Sequence, residues 1–217
     1  MIIQTIDRRS CGERPSSFHP ETDVAVFGFG CTETVRYRKE LSGETSRLKD
    51  LAALSEKAGI VLVAAFDSDN YGIIRHSCGV FEKGKLLGIT DMSVCRETNG
   101  YMPGCGNRVY DTAAGRFAVA VGDDAFSFDL MKSLVVCGAE AVLLLSEKKR
   151  TECVKIILRA YSYLLGVPFF YLGDDGGEAT APNGEPVPFS GEKGDRVELT
   201  APADFTIKTT KVRFSDP

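Results

Sequence analysis

Seven cysteines and two histidines set the limits on nucleophilic chemistry in this 217-residue chain. The thiols stand at positions 11, 31, 78, 95, 105, 137 and 153. A cysteine attacks as its thiolate and needs a neighbouring base or cation to form one near neutral pH. The imidazoles that could serve are His19, in a segment punctuated by prolines, and His76, inside an apolar run. No two cysteines form a C-x-x-C pair, and Cys31, Cys95, Cys105 and His76 follow no metal-ligand spacing, so partly buried free thiols are the expected state. The odd number and scatter also argue against a disulfide framework. Asp174-Asp175-Gly176-Gly177-Glu178 has oxygens for a hard cation, but a turn of this composition needs no ion.

The elements that must position these residues are those of an α/β domain, with apolar runs rich in β-branched residues and amphipathic stretches between some of them. Strands are predicted over 2–6, 23–27, 60–65, 72–81, 86–94, 117–122, 141–145 and 168–172. Helices are predicted near 46–57, 125–137 and 152–165, the first stopping at Gly59, the second at Gly138 and the third at Gly166 and Pro168. Their apolar stripes read as core. After Leu172 the chain turns to Gly, Pro, Asp and Glu with short alternating segments at 178–181, 187–189, 196–199 and 206–212, which reads as a terminal β meander. Pro182-Asn183-Gly184 supplies one hairpin turn. The run Glu147-Lys148-Lys149-Arg150 reads as a solvated loop. One domain over residues 1–217 is expected.

Charge and hydropathy exclude some partners. With 30 acidic and 26 basic residues the formal charge is −4, which gives nucleic acid no basic surface to hold. No stretch approaches the roughly 20 apolar residues of a membrane span. The opening MIIQTIDRRSCGERP places charges directly after a short apolar run, unlike a signal peptide, so a cytoplasmic protein with no membrane partner is expected.

From Lys49 to Ser146 the order of pieces is specific: a helix, the strand GIVLVAAF, a hairpin with EKGKLLG, a strand, Tyr101-Met102-Pro103-Gly104, VYDTAAGRFAVAVGDD, a helix and CGAEAVLLLS. This order and spacing resembles the nitrilase, or carbon–nitrogen hydrolase, superfamily. The resemblance implies an α/β fold of the α-β-β-α four-layer sandwich type, and a site where a Cys attacks a carbon, a Glu moves protons and a Lys stabilises the developing anion. The flanking patterns place Phe29 where the Glu belongs, Met92 where the Lys belongs and Gly122 where the Cys belongs, two residues before Asp124. All three are inert for that chemistry. Glu97, matching a second family glutamate, and Asp124, as a helix cap, remain.

The resemblance also shows trimming. RRSCGERPSSFHPET carries no helical stripe where relatives have a long helix, the loop after Leu145 is short, and Ser162-Tyr163 stands where the family usually has Glu-Asn. The implied pocket is Phe29, Cys31, Met92, Cys95, Glu97, Gly122 and Asp124. It either keeps room for a small-molecule ligand or is filled by Phe29 and Met92, and the loss of charged groups favours filling. The expected function is that of a catalytically inactive binding, regulatory or assembly protein, a pseudoenzyme. The alternatives are a C–N hydrolase with a relocated thiol, Cys31 or Cys95, and a sensor using the former pocket. No cofactor is expected, and the family's habit of association implies a homodimer.

Overall fold

Runs in which successive residues are all apolar form strands whose two faces are both covered. Ala141–Leu145 is such a run, and every residue in it is buried. Ala141, Leu143 and Leu145 point to one core, and Val142 and Leu144 to another. The same division along Val24–Phe27 and Val61–Asn70 places two cores either side of a second sheet. The computed structural model describes residues 1–6, 18–96, 100–189 and 194–201.

In chain order the strands are β1 Ile2–Ile6, β2 Val24–Phe27, β3 Val35–Arg36, β4 Val61–Asn70, β5 Ile73–Glu82, β6 Lys85–Asp91, β7 Val109–Thr112, β8 Gly115–Val121, β9 Ala141–Leu145, β10 Phe169–Gly173, β11 Gly176–Thr180, β12 Pro186–Val187 and β13 Arg196–Glu198. The helices are α1 Tyr37–Ser42, α2 Arg47–Ala58, α3 Phe128–Val136 and α4 Glu152–Leu165. One sheet runs β13-β1-β2-β4-β5-β6, with β3 against the far end of β4, and the other runs β12-β11-β10-β9-β8-β7. The inner faces enclose Val26, Val63, Val80, Val119, Leu143 and Phe170. Helices α3 and α4 cover the outer face of the second sheet, and α2 that of the first. The result is the expected α-β-β-α sandwich, with its inter-sheet layer built by the alternation of each strand.

Helix ends follow local chemistry. Thr151 caps α4 by accepting the Val154 N–H, and Gly166 ends it at φ 69°, where a side chain would be strained. The predicted helix over 125–137 is two pieces, a 3₁₀ turn Gly122–Phe126 and then α3, because Ser127 takes extended backbone and caps the second piece through Leu130 N–H. The predicted strand 60–65 continues to Asn70, past the apolar run, because Asp67 and Asp69 are held by pairing with β5. Two strands, β3 and β7, and the short helix α1 carried too little pattern to be anticipated.

The predicted meander is also corrected. β10, β11 and β12 are antiparallel neighbours, with the 182–184 turn closed by Gly184 N–H to Ala181 O at 2.8 Å. β13 then leaves that sheet to pair with β1 in the other. The predicted segment 206–212 and most of the proline-bearing stretch after β1 lie outside the described residues. Among the described residues no helix is long and apolar enough to cross a membrane.

Candidate functional site

Strands β2, β4, β6, β8 and β9 all run in one direction, and their C-terminal ends meet at one end of the sandwich, as in open α/β sheets that bind ligands there. Phe29 follows β2, Met92 follows β6, Gly122 follows β8 and Glu147 follows β9. The three positions singled out from sequence do converge.

At the centre is the sharp turn after β8. Gly122 adopts φ +54° and opens the 3₁₀ turn. A Cβ there would stand 2.7 Å from Met92 Sδ, closer than any relaxed contact. The same sulfur lies 3.4 Å from the Asp123 backbone N–H, which it meets as a weak acceptor. Met92 is buried, and its own backbone is held by His76 O and Gly104 N–H. The thioether therefore fills the space above Gly122.

Asp124 fixes this geometry. Its Oδ1 accepts the N–H groups of Ser93 and Val94 at 2.9 and 2.8 Å, and its Oδ2 accepts Val121 N–H at 3.2 Å. Burial pushes its carboxyl up to about 6, against the pull of these three donors and with a further push from the charge of Asp123. Asp123 is also buried and is answered by Lys148 Nζ at 2.9 Å and by Arg96 N–H at 3.2 Å.

The other candidate residues differ in their surroundings. Phe29 is half-buried with its ring edge-on to His76, centroids 5.2 Å apart. Cys31 is disulfide-bonded, which corrects the expectation of free thiols at that position and removes it as a relocated nucleophile. Cys95 is half-buried, with Sγ 3.8 Å from Tyr101 O. Cys78 is fully buried, and burial pushes its thiol far up, away from reactivity. Glu97 lies outside the described residues. Among the described residues no group of three or more His, Cys, Asp and Glu is placed to hold a metal ion. The acidic tract at 174–178 closes on Arg150: its N–H goes to Asp175 at 2.7 Å and its guanidinium to Glu178 at 3.2 Å.

Sequence reasoning missed the polar constellation beside the turn. His76 Nδ1 lies 2.7 Å from Asp67 Oδ1, and Nε2 lies 3.6 Å from Glu147 Oε1. Tyr101 stacks on the imidazole at 3.7 Å and donates its hydroxyl to Asp67 Oδ2 at 3.3 Å. Burial and the two carboxylates push the Tyr101 phenol up, so it stays a donor. The run 147–150 is thus not simply solvated, since Glu147, Lys148 and Arg150 are all engaged. A signal for part of this existed: the two-residue turn Tyr71-Gly72 pairs Asn70 with Ile73 and so Asp67 with His76. Glu147 comes from the other sheet and had no local signal.

No protein-family model matches the chain, and no curated protein matches it. Solved structures do. A carbon–nitrogen hydrolase from Helicobacter pylori G27 superposes with a TM-score of 0.71 at 17% identity, covering 92% of this chain and 87% of that one. A variant of an amidase of the nitrilase superfamily from Nesterenkonia AN1 gives 0.70 at 16%, covering 94% and 92%. A complex of that amidase with butyramide gives 0.69 at 15%, covering 90% and 88%. The chain therefore has the nitrilase-type fold. At such identities the likeness carries the fold, and chemistry rests on the residues just described.

Two outcomes are expected. Gly122→Cys should cost about 1–3 kcal/mol through backbone strain and the clash with Met92, and adding Met92→Ala should recover part of it. Urea unfolding of the double-mutant cycle measures this, and strict additivity would sink the packing account. For Asp124 the folded pKa is raised, so the native state keeps a proton that the unfolded chain has lost. The stability due to this group therefore falls as pH rises between about 4 and about 6, by roughly 3 kcal/mol in all. The stability difference between wild type and Asp124→Asn should shrink across that window, and a difference independent of pH would refute the assignment.

Proposed function

We propose that this protein does not hydrolyse C–N bonds and acts as a non-catalytic binding and assembly protein on a nitrilase-type fold, a pseudoenzyme. The observation that carries this reading is the packing of Met92 Sδ against Gly122, 2.7 Å from where a side chain there would begin. One Nesterenkonia amidase structure shows acrylamide added at its active-site cysteine. Here the turn at the equivalent strand end offers no atom to attack with. The neighbouring N–H of Asp123, placed where an oxyanion would be met, already faces the thioether. A relocated thiol finds little support. Cys31 is in a disulfide, and the two imidazole nitrogens face Asp67 and Glu147 rather than a sulfur.

The assembly part of the reading rests on the outer face of the second sheet. Val136 on α3 and Ile156, Tyr163 and Leu164 on α4 are exposed. A shallow depression of about 360 Å³ is lined by Ile156, Arg159, Ala160 and Tyr163 with the 183–184 turn. An apolar helical face of this kind favours a homodimer through α4.

A hydrolysis screen of amides and nitriles on the purified wild type should show no turnover above background. Any activity lost on thiol alkylation would overturn the non-catalytic reading. In the Phe29→Glu, Met92→Lys, Gly122→Cys triple variant, a gain of even slow turnover is expected if these are the family's reactive positions. Sedimentation should give a dimer at micromolar concentration that Tyr163→Asp with Leu164→Asp converts to monomer. A wild type that is monomeric throughout would remove the assembly proposal.

A further inference from the structure

His76 is oriented by Asp67, which as a carboxylate can only accept, so Nδ1 donates to it. Its other nitrogen, Nε2, faces Glu147 Oε1 across 3.6 Å. The other oxygen, Oε2, is buried without a hydrogen-bond partner and lies 3.7 Å from where a side chain on Gly122 would begin. A carboxylate with one oxygen buried without a donor and the other 3.6 Å from the nearest ring nitrogen calls for N–H groups and positive charge. Lys148, adjacent in sequence, directs its ammonium to Asp123 at 2.9 Å, and Tyr101 gives its hydroxyl to Asp67.

The surroundings narrow what would supply the donors. Phe29 and Tyr101 flank the imidazole, and aromatic rings favour a cation beside them. Beyond Tyr101 the rim is apolar. Ile74 pairs with Tyr101 and receives the Met102 N–H at 2.9 Å, and the side chains of Ile74 and Met102 are exposed. The Asp67 and Glu147 side chains are each 31% exposed, so an ion can reach both from solvent. The cleft of about 370 Å³ at the opposite end of the strands, lined by Asp23, Glu56, Glu82 and Lys83 among others, has neither an imidazole nor an aromatic wall in its lining.

We propose that Glu147, His76 and Asp67, walled by Phe29 and Tyr101, form a binding site for a small organic ammonium ion. Its N–H groups lie on Glu147 and His76 Nε2, and its apolar body lies along Tyr101, Ile74 and Met102. This assignment rests on the reading that the site binds rather than hydrolyses, and it names the ligand class for that site. A neutral amide would leave one carboxylate unanswered, and a bare ammonium ion would leave the apolar rim unused.

The test is calorimetric titration of the full chain with n-butylammonium chloride, n-butanol and ammonium chloride, at constant ionic strength and neutral pH. Butylammonium should bind, butanol should not, and ammonium should bind more weakly. Glu147→Gln should weaken butylammonium at least about tenfold, as expected for loss of a charge-assisted hydrogen bond. Asp67→Asn, which loosens the orientation of His76 but leaves Glu147, should weaken it less. Lys57→Ala, exposed at the end of α2, should leave it unchanged. Equal binding of butanol, no binding of butylammonium, or an unchanged affinity in Glu147→Gln would overturn the assignment. So would nitrogen NMR showing His76 as an imidazolium in the amine-free protein, because a proton would then fill the gap. Butylammonium binding together with amide turnover would support this assignment and overturn the non-catalytic reading, so the two fail separately.

Discussion

One carboxylate joins the two sheets at the end where the candidate site lies. Asp124 accepts the N–H groups of Ser93 and Val94, which continue β6 of the first sheet, and that of Val121, which ends β8 of the second. With both oxygens occupied, the segment carrying Met92 and the turn carrying Gly122 are fixed against each other. The thioether lies 2.7 Å from where a side chain at position 122 would begin, so one there would have to displace it. The burial that makes this clamp stiff also opposes its charge. Asp124 is buried beside Asp123, whose own carboxylate is neutralised by Lys148.

Filling the centre displaces the polar chemistry sideways. The N–H of Asp123 at the turn is met by sulfur, a weak acceptor that asks little in return. The titratable groups that remain come from the β4–β5 pair and the loop after β9, and they meet at His76 rather than at the turn. Such an arrangement sets one imidazole between two carboxylates, with an aromatic ring on either side. Aromatic packing on both sides lowers the local dielectric, which makes the unpaired Glu147 oxygen costly and a bound positive charge correspondingly valuable.

How much of this was legible in the sequence depends on distance along the chain. Ala141–Leu145 and Glu152–Leu165 have the bounds that their apolar patterns predict, because local periodicity and a flanking cap determine them. The Gly122-to-Asp124 spacing was legible for a similar reason, being one turn of backbone. Val35–Arg36 and Val109–Thr112 were not, since each exists only through pairing with a longer neighbour. The departure of β13 to the first sheet is likewise a tertiary choice, made by its register on β1. The Glu147–His76 approach joins positions far apart in sequence, and no single-chain periodicity reports it. Asp67 opposite His76 is the intermediate case, derivable from the Tyr71-Gly72 turn once β4 is allowed to run past its apolar stretch.

These observations explain how 15–17% identity coexists with a TM-score near 0.7. The sandwich is specified by alternation: inward Val, Ala, Leu and Phe on two sheets, outward apolar residues beneath helices, and glycines where helices must stop. None of those requirements involves the side chains at positions 29, 92 and 122, which only have to fill space at the strand ends. Asp124 differs because three backbone N–H groups depend on it. The strand ends that carry positions 29, 92 and 122 can thus vary in side chain and keep their backbone geometry, provided the Asp124 clamp stays. It also follows that function here is decided by what the strand ends now carry. By charge and hydrogen-bonding capacity, that is a pair of carboxylates around one imidazole beside a closed turn.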